Sequence, residues 1–522
     1  MQTKFLVVLS VNVIFASTAQ TGWYKNGIFY QVYVRSFKDN NNDGVGDLRG
    51  VIEKLDHLKD LGVTVAWLSP VFKSPQIDHG YDISDYYSIE PIYGDMSDLV
   101  ELFRKAEQFG IKILLDLVPN HTSDQHYWFN NSVNYEPGYE DYYVWVDPKF
   151  DSNGNRKPPN NWISVFSNSS WTWNEKRQQY YLHQFDPSQP DLNLRNKDVM
   201  DELKRVLTFY LDLGAAGFRV DAVPYLIEDP RLLDEPFLPD IANPDPGNWF
   251  HYDHVYTKDT NESYECVYEI RSFIDDYNKN HQGEERIIVT EAYSDFNKIK
   301  LYYGNNDGAE LGAHFTFNFD FTYLNYNSTA NHIKNLIEMW THDLDKQYPL
   351  NWGLSNHDNH RGPTRLGNVD GYNMLVTFLP GIAAVYYGEE IGQENGEVKC
   401  EEGTDPKVNN CTSFDLITRD YERTPLQWDA TVNAGFNSGE AKSANKNVLH
   451  IVRKRFQGKD SYVFLFNMER SRKRTLKVSD VCFKLLVSST NSQYTNGQIF
   501  KNSVMLLPQE SLVLKEILIP EM

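Results

Sequence analysis

Residues 96–121 read MSDLVELFRKAEQFGIKILLDLVPNH, and this stretch contains the unit from which the fold is built. Leu99, Leu102, Phe103, Ala106 and Phe109 recur at helical spacing, Gly110 stops the helix, and the apolar run IKILLDLVP follows as a buried strand. The same order stands on either side. DLRGVIEKLDHLKDLG (47–62) leads through Gly62 into TVAWLSPVF, and DVMDELKRVLTFYLDLG (198–214) leads through Gly214 into AGFRVDAVP. Helix, glycine, buried strand is the alternation of a parallel sheet with helices outside it. Eight such runs begin near Ile28, Thr64, Ile111, Ala216, Arg286, Ala313, Leu350 and Ile382, so the chain is expected to be α/β, a (β/α)8 TIM barrel. An open doubly wound sheet shares the pattern, but no glycine-rich phosphate loop follows the first run.

Three segments depart from the repeat. Between the third and fourth runs, residues 121–193 are rich in Trp, Tyr, Asn and Pro, and so long a connection implies a small subdomain beside the barrel mouth. Short alternating runs such as DSYVFLFNM mark residues 447–522 as a C-terminal antiparallel β-domain. The barrel itself is expected in 20–120 and 194–446. After the eighth strand, residues 392–446 show no amphipathic run, so the eighth barrel helix is missing or replaced by something irregular.

Composition narrows the class of function. The 522 residues carry 50 basic and 72 acidic side chains, a net charge of −22, which works against binding nucleic acid or an anionic membrane surface. An uncharged or cationic small ligand is the more natural partner; the oligomeric state is left open. MQTKFLVVLSVNVIFASTA (1–19) has one lysine, an apolar centre and small residues at its end, the pattern of a cleaved secretory signal, and no later stretch is apolar enough to span a bilayer. A secreted, extracellular protein is expected. Of four cysteines, Cys400 and Cys411 are close enough for a local disulfide, whereas Cys266 and Cys482 are expected to be free. Asn130, Asn168, Asn261, Asn327 and Asn410 head glycosylation sequons; Asn120 also does, but its place at the end of a barrel strand puts it in a pocket.

In a barrel of this kind the reacting groups sit at the C-terminal ends of the strands. The third run ends with Asp116, Asn120 and His121, the fourth with Arg219 and Asp221, the fifth with Glu291, and the seventh with His357, Asp358 and Arg361. One such acid alone reads as a helix cap; several at equivalent positions do not. Arg219 and Asp221 are two apart on a strand and share a face, so the guanidinium keeps Asp221 ionised, as a nucleophile requires. Glu291 follows Ile287, Ile288 and Val289 with no cation adjacent in sequence, and desolvation there suits a general acid. Two carboxyl groups about 5–5.5 Å apart make a retaining glycosidase. Tyr81, Phe166 and Trp171 are expected near the mouth, where aromatic rings stack on sugar faces.

DLVPNH, GFRVDAV, VTEAY and SNHD resemble the four signature regions of the α-amylase family of glycoside hydrolases (family 13), and QPDLN (189–193) resembles the fifth region of its oligo-1,6-glucosidase and maltase branch. HGYDISDY, NWISVF, YYLHQF, LPGIAAVYYGEEIG and RTPLQW are similar to that branch too, and most of all to its secreted insect-type maltases and sucrases. The resemblance implies an exo-acting retaining α-glucosidase for short α-glucosides such as maltose or sucrose. Asp221 would be the nucleophile, Glu291 the acid/base and Asp358 the transition-state stabiliser. Tyr81, Asp82, His121, Phe166, Arg219, His357 and Arg361 would bind substrate, with an Asp82–Arg361 pair reading the terminal 4-hydroxyl. Ala222 stands where members specific for α-1,6 bonds have Val, which favours maltose or sucrose over isomaltose. Members of the branch also carry some tens of residues, including the eighth helix, after the segment resembling AGFNSG. The alternative is a non-catalytic relative that binds without turnover, a class whose members have lost one or more of the three carboxylates.

FKDNNNDGVGDLRG (37–50) places oxygen side chains at alternate positions, as a calcium-sensor loop does, but a sensor would carry a bidentate Glu where Gly50 stands. The resemblance implies instead a structural Ca2+ held by Asp39, Asn41, Asp43, the Val45 carbonyl and Asp47, with no organic cofactor.

Overall fold

The computed structural model describes residues 22–305, 308–344, 346–367, 369–408, 411–437, 448–453, 462–467, 474–488, 493–495, 498–506 and 511–517. Two compact units result. One comprises residues 22–38 and 45–425; the other takes in 39–44 and the residues described from Leu426 onward.

The first unit is the barrel. Its strands are β1 (Ile28–Val32), β2 (Val65–Leu68), β3 (Lys112–Leu117), β4 (Gly217–Val220), β5 (Ile287–Thr290), β6 (Phe315–Thr316), β7 (Asn351–Gly353) and β8 (Ile382–Tyr386), each within two residues of where an apolar run begins. All pair in parallel, in one ladder running from β6 through β5, β4, β3, β2, β1 and β8 to β7. At the seam between β6 and β7 a side chain replaces backbone pairing. Asn351 accepts the Asn318 N–H (2.6 Å) and donates its amide to the Thr316 carbonyl (2.8 Å).

The helices form where the apolar spacing and the caps agree. The segment 47–62 divides at Lys54 into α1 (Leu48–Glu53), capped by the Asp47 carboxylate on the Gly50 N–H, and α2 (Leu55–Asp60). In α3 (Met96–Phe109) a reciprocal capping box joins Asp95 and Asp98, and Leu99, Leu102, Phe103 and Ala106 are buried. Next come α4 (Lys197–Leu213), capped by Asn196, and α5 (Asn261–Asn280), capped by Thr260. Gly110 and Gly214 end α3 and α4 at φ of 75° and 118°, a left-handed backbone that a side chain resists. Then α6 (Ala330–Asp343) and α7 (Val369–Phe378) follow β6 and β7.

Beyond β8 the longest described helix is the single turn Phe414–Ile417, so a full eighth barrel helix is absent among the described residues. Ala384 and Val385 of β8 are only partly buried, whereas every residue of β2, β4 and β5 is buried.

The insertion after β3 closes on itself, with His121 bridged to Asp191 and Tyr143 to Leu192. It holds a three-stranded sheet and a core of Trp162, Trp171, Tyr180 and Leu182. Cys400 and Cys411 are disulfide-bonded, and Cys266 is a buried free thiol. In the second unit, strands Val448–Arg453, Tyr462–Asn467, Arg474–Ser488, Ile499–Leu506 and Ser511–Ile517 form an antiparallel sheet. Among the described residues no helix is long and apolar enough to cross a membrane.

Candidate active site

The register of the barrel assembles the carboxylates. Arg219 on β4 lies opposite Asp116 on β3, and Val220 lies opposite Thr290 on β5. Asp221 and Glu291 are the next residues along, so they leave adjacent strands at one level. Neighbouring strands run about 4.8 Å apart, the scale of the separation that a retaining pair needs.

Arg219 is the hub of this cluster and is itself buried. Its guanidinium bonds Asp116 (2.8 Å), Asp221 and Glu291 (2.7 Å). Sequence adjacency showed only the Asp221 contact; through space the same cation also reaches Glu291. Even so, the two acids separate. Burial raises both. Arg219 opposes burial at Asp221, whose pKa is pushed up to about 6. At Glu291 burial, with the charges of Asp221 and Asp358 added to it, outweighs Arg219 and raises the carboxyl well above its ordinary value. The proton in this pair therefore stays on Glu291 and the charge on Asp221. Glu291 also accepts the Ala222 N–H (3.1 Å).

Asp358, after β7, has a different environment. Burial would raise its pKa, but the guanidinium groups of Arg419, Arg423 and Arg219 oppose it and hold the carboxylate ionised. Arg423 lies 2.9 Å and Arg419 3.2 Å from it.

These three acids line one cavity of about 420 Å³ together with Tyr81, His121, Phe166 and His357. That volume falls in the range, about 300–1,000 Å³, of small-molecule sites. A chain of hydrogen bonds orients the imidazoles. Gln31 donates to His357 Nδ1 (2.8 Å), His357 Nε2–H meets the Tyr81 oxygen (2.6 Å), and Tyr81 donates to Asp116 (3.2 Å). Tyr81 and His357 stack with centroids 5.2 Å apart. Gln189 donates to both His121 (3.0 Å) and Asp78 (3.2 Å), tying the QPDLN segment to the cavity. Burial lowers His121 to about 3 and His357 well below its ordinary value, so both rings are neutral. Asn120 is buried and donates to the Tyr225 carbonyl (2.5 Å), which leaves no room for a glycan.

Three expectations need correction. Asp82 and Arg361 do not meet, and neither lines the cavity. Asp82 is fully buried, accepting Ser74 Oγ–H (2.8 Å) and the N–H groups of Ile77 (2.9 Å) and Asp78 (3.1 Å). Arg361 is buried against the rings of Tyr386 and Tyr387 and donates to the Tyr387 carbonyl. The acid–arginine pair on the cavity wall is instead Asp78–Arg419, at 2.9 Å. Asp82 braces the turn carrying Asp78, which is why a position four residues away could be mistaken for it. Trp171 is the third correction. It packs on Trp162 inside the inserted subdomain, with its indole N–H on Asn160 (2.8 Å), away from the cavity.

Arg419 was also missed, because it sits in the irregular stretch after β8 where no periodicity flags it; the RTPLQW motif four residues on was the only local signal. Lys258, Lys407, Trp249, Phe250 and Tyr323 also line the cavity, and none stands at a strand end.

In the loop 37–50 each unit shows its own part. Within the second unit, Asp39 accepts the N–H groups of Asn42 (2.6 Å) and Gly44 (2.9 Å) and the amide of Asn437 (2.6 Å), while Asn41 donates to Asp43 (3.2 Å). Within the barrel unit, Asp47 caps α1 through Gly50 (2.7 Å). Among the described residues no group of three or more His, Cys, Asp or Glu could hold a metal ion. The donors named for the loop are all oxygens, a set that suits a hard cation such as Ca2+ and not a transition metal.

Comparison with known proteins bears on this geometry. The family described as "Alpha amylase, catalytic domain" matches residues 31–478. Maltase 1 of Drosophila virilis is 45% identical over 432 residues, covering 80% of this chain and 67% of that protein. The salivary alpha-glucosidase of Anopheles gambiae is 45% identical over 425 residues, 80% of this chain and 71% of the relative. Among solved structures, the alpha-glucosyl transfer enzyme XgtA superposes with a TM-score of 0.72 at 28% identity, over 95% of this chain and 100% of that one.

Proposed function

The chain belongs to the α-amylase family, and from that premise we propose that it is an exo-acting retaining α-glucosidase that hydrolyses short α-glucosides such as maltose or sucrose. The observation that carries the reading is the placement of Asp221, Glu291 and Asp358 around one cavity, with Arg219 bonded to the first two. In the first step the Asp221 carboxylate attacks the anomeric carbon while Glu291 gives its proton to the departing glycosidic oxygen, leaving a glucosyl ester on Asp221. In the second, Glu291, now a base, takes a proton from water; the water oxygen attacks the same carbon, the ester breaks, and the α-configuration returns. Asp358, ionised by its arginines, faces the positive charge that develops on the sugar ring.

Arg219, His121, Tyr81, His357 and Phe166 support the glucosyl unit in this reading. The Asp78–Arg419 pair, not Asp82 and Arg361, takes the role of closing the pocket on the terminal hydroxyls, which favours release of single glucose units from a chain end. The compartment proposed is extracellular, by signal-directed secretion; the salivary relatives carry their location in their names. A structural Ca2+ on Asp39, Asn41, Asp43, the Val45 carbonyl and Asp47 is proposed on donor chemistry alone. The reading as a binding protein without turnover is not favoured, because all three acids are present and face one cavity.

The test is the anomer of glucose first released from 4-nitrophenyl α-glucoside, followed by NMR, together with Asp221→Asn. α-Glucose should appear first, and Asp221→Asn should lose nitrophenol release from 4-nitrophenyl α-glucoside by about 10⁴-fold or more. β-Glucose first, or substantial residual turnover in the variant, would remove the mechanism.

A further inference from the structure

The disulfide Cys400–Cys411 closes a loop whose internal bonds converge on Asp405. The Asp405 carboxylate accepts from the Arg419 backbone N–H (2.6 Å) and Arg419 Nη2 (2.7 Å), and it also holds the N–H of Lys407 (3.0 Å). One buried acid thus fixes Arg419, which reaches Asp78, and the backbone of Lys407, whose side chain lines the cavity.

The two cations differ in their partners. Arg419 is saturated by Asp78, Asp405 and Asp358. The Lys407 ammonium has no hydrogen bond or ion pair to any described residue, although it stands in the cavity wall. Burial lowers its pKa and Arg419 adds to that, with Asp358 opposing. An ammonium in the cavity wall with no partner among the described residues is open to a ligand, so its partner is sought in what the cavity binds. An anionic ligand is disfavoured there, because Asp78, Asp221 and Asp358 face the same space. A neutral hydroxyl is not.

We propose that Lys407 is a specificity-determining residue whose ammonium donates a hydrogen bond to a hydroxyl of the bound glucosyl unit, on the wall it shares with Arg419 and Asp358. The inference rests on the α-glucosidase reading above. The glucosyl unit is chosen over the leaving group because Asp405, which holds the Lys407 backbone, also holds Arg419, and Arg419 in turn bonds Asp358 and Asp78 on that wall.

Lys407→Met keeps the stem and removes the donor. It should raise KM for maltose and for 4-nitrophenyl α-glucoside by the same factor, about tenfold, with kcat little changed, as expected for a lost charged hydrogen bond. Among maltoses lacking one hydroxyl of the non-reducing glucose, one should be a poor substrate for the natural enzyme yet no worse than maltose for the variant, which mere loosening of the loop would not produce. An unchanged KM, an effect confined to one of the two substrates, or equal penalties for every deoxy analogue in both enzymes would overturn the assignment. If the natural protein turned over neither substrate, the enzymatic reading itself would fall; calorimetry with glucose would still test the residue, tighter binding to the natural protein than to Lys407→Met supporting it and equal binding overturning it.

Discussion

A guanidinium shared by three acids leaves the division of labour in the cavity to burial and to the other charges around it. Arg219 touches Asp116, Asp221 and Glu291, yet Asp221 is pushed up only to about 6 while Glu291 rises well above its ordinary value. Catalysis needs Asp221 charged and Glu291 protonated, so kcat/KM should fall on the acid side as Asp221 takes up its proton near pH 6, and on the alkaline side as Glu291 loses its own. A pH–rate profile checks this, and Glu291→Gln should remove the alkaline limb from whatever activity remains. The sign for stability is opposite. A carboxyl whose folded pKa lies above its unfolded value, about 4, stabilises fully below that value and loses the contribution as pH rises through the folded pKa. Asp116 and Asp221, both about 6, therefore weaken the fold between roughly pH 4 and 6 and above, a stability cost of holding charge in a dry site. Asp221→Asn should accordingly melt at or above the natural protein at pH 7.

Two loops show how an element without regular structure is held in place. The first is the disulfide loop 400–411, pinned through Asp405 to Arg419. Replacing both cysteines by serine restores the entropy of a short closed loop to the unfolded chain, a loss of about 3 kcal/mol. Because the same loop positions Arg419 and Lys407, KM for maltose should rise as well; thermal melting and steady-state kinetics measured together would separate the two effects. The second is the loop 39–47, for which a cation is proposed. Chelation should lower Tm and release stoichiometric calcium, and no change in either would leave an Asn/Asp/Gly turn without metal. Ala222, between β4 and the cavity, is a smaller case. Its φ of 49° lies in the left-handed region, which a β-branched residue resists, so the presence of Ala and not Val here eases the backbone as well as widening the site.

At the scale of the whole molecule the barrel lacks its eighth helix among the described residues, and apolar side chains nearby face solvent: Met374 is 58% exposed, Phe378 77% and Leu416 80%. Phe378→Ser should change stability by no more than about 0.5 kcal/mol, since little area is lost from a core. Equilibrium unfolding in urea tests it, and a cost of about 3 kcal/mol would mean the ring is covered after all. Much of this architecture was legible in the chain. Helix, glycine and strand recur with a period set by backbone geometry, so the eight strands, the insertion after the third and the gap after the eighth followed from local spacing. The acids at strand ends followed too, because a parallel barrel presents those ends on one face. What spacing could not supply was the contact of residues far apart along the chain. Asp78 and Arg419 are separated by 341 positions and meet only because the β8 loop folds back over the second; Arg219 reaches Glu291 only across the ladder. Residue types and local periodicity determined the barrel and its set of acids. Tertiary packing alone decided which acid keeps the proton, which arginine closes the pocket, and which aromatic rings belong to a core, because burial and through-space charge depend on neighbours that local sequence does not name.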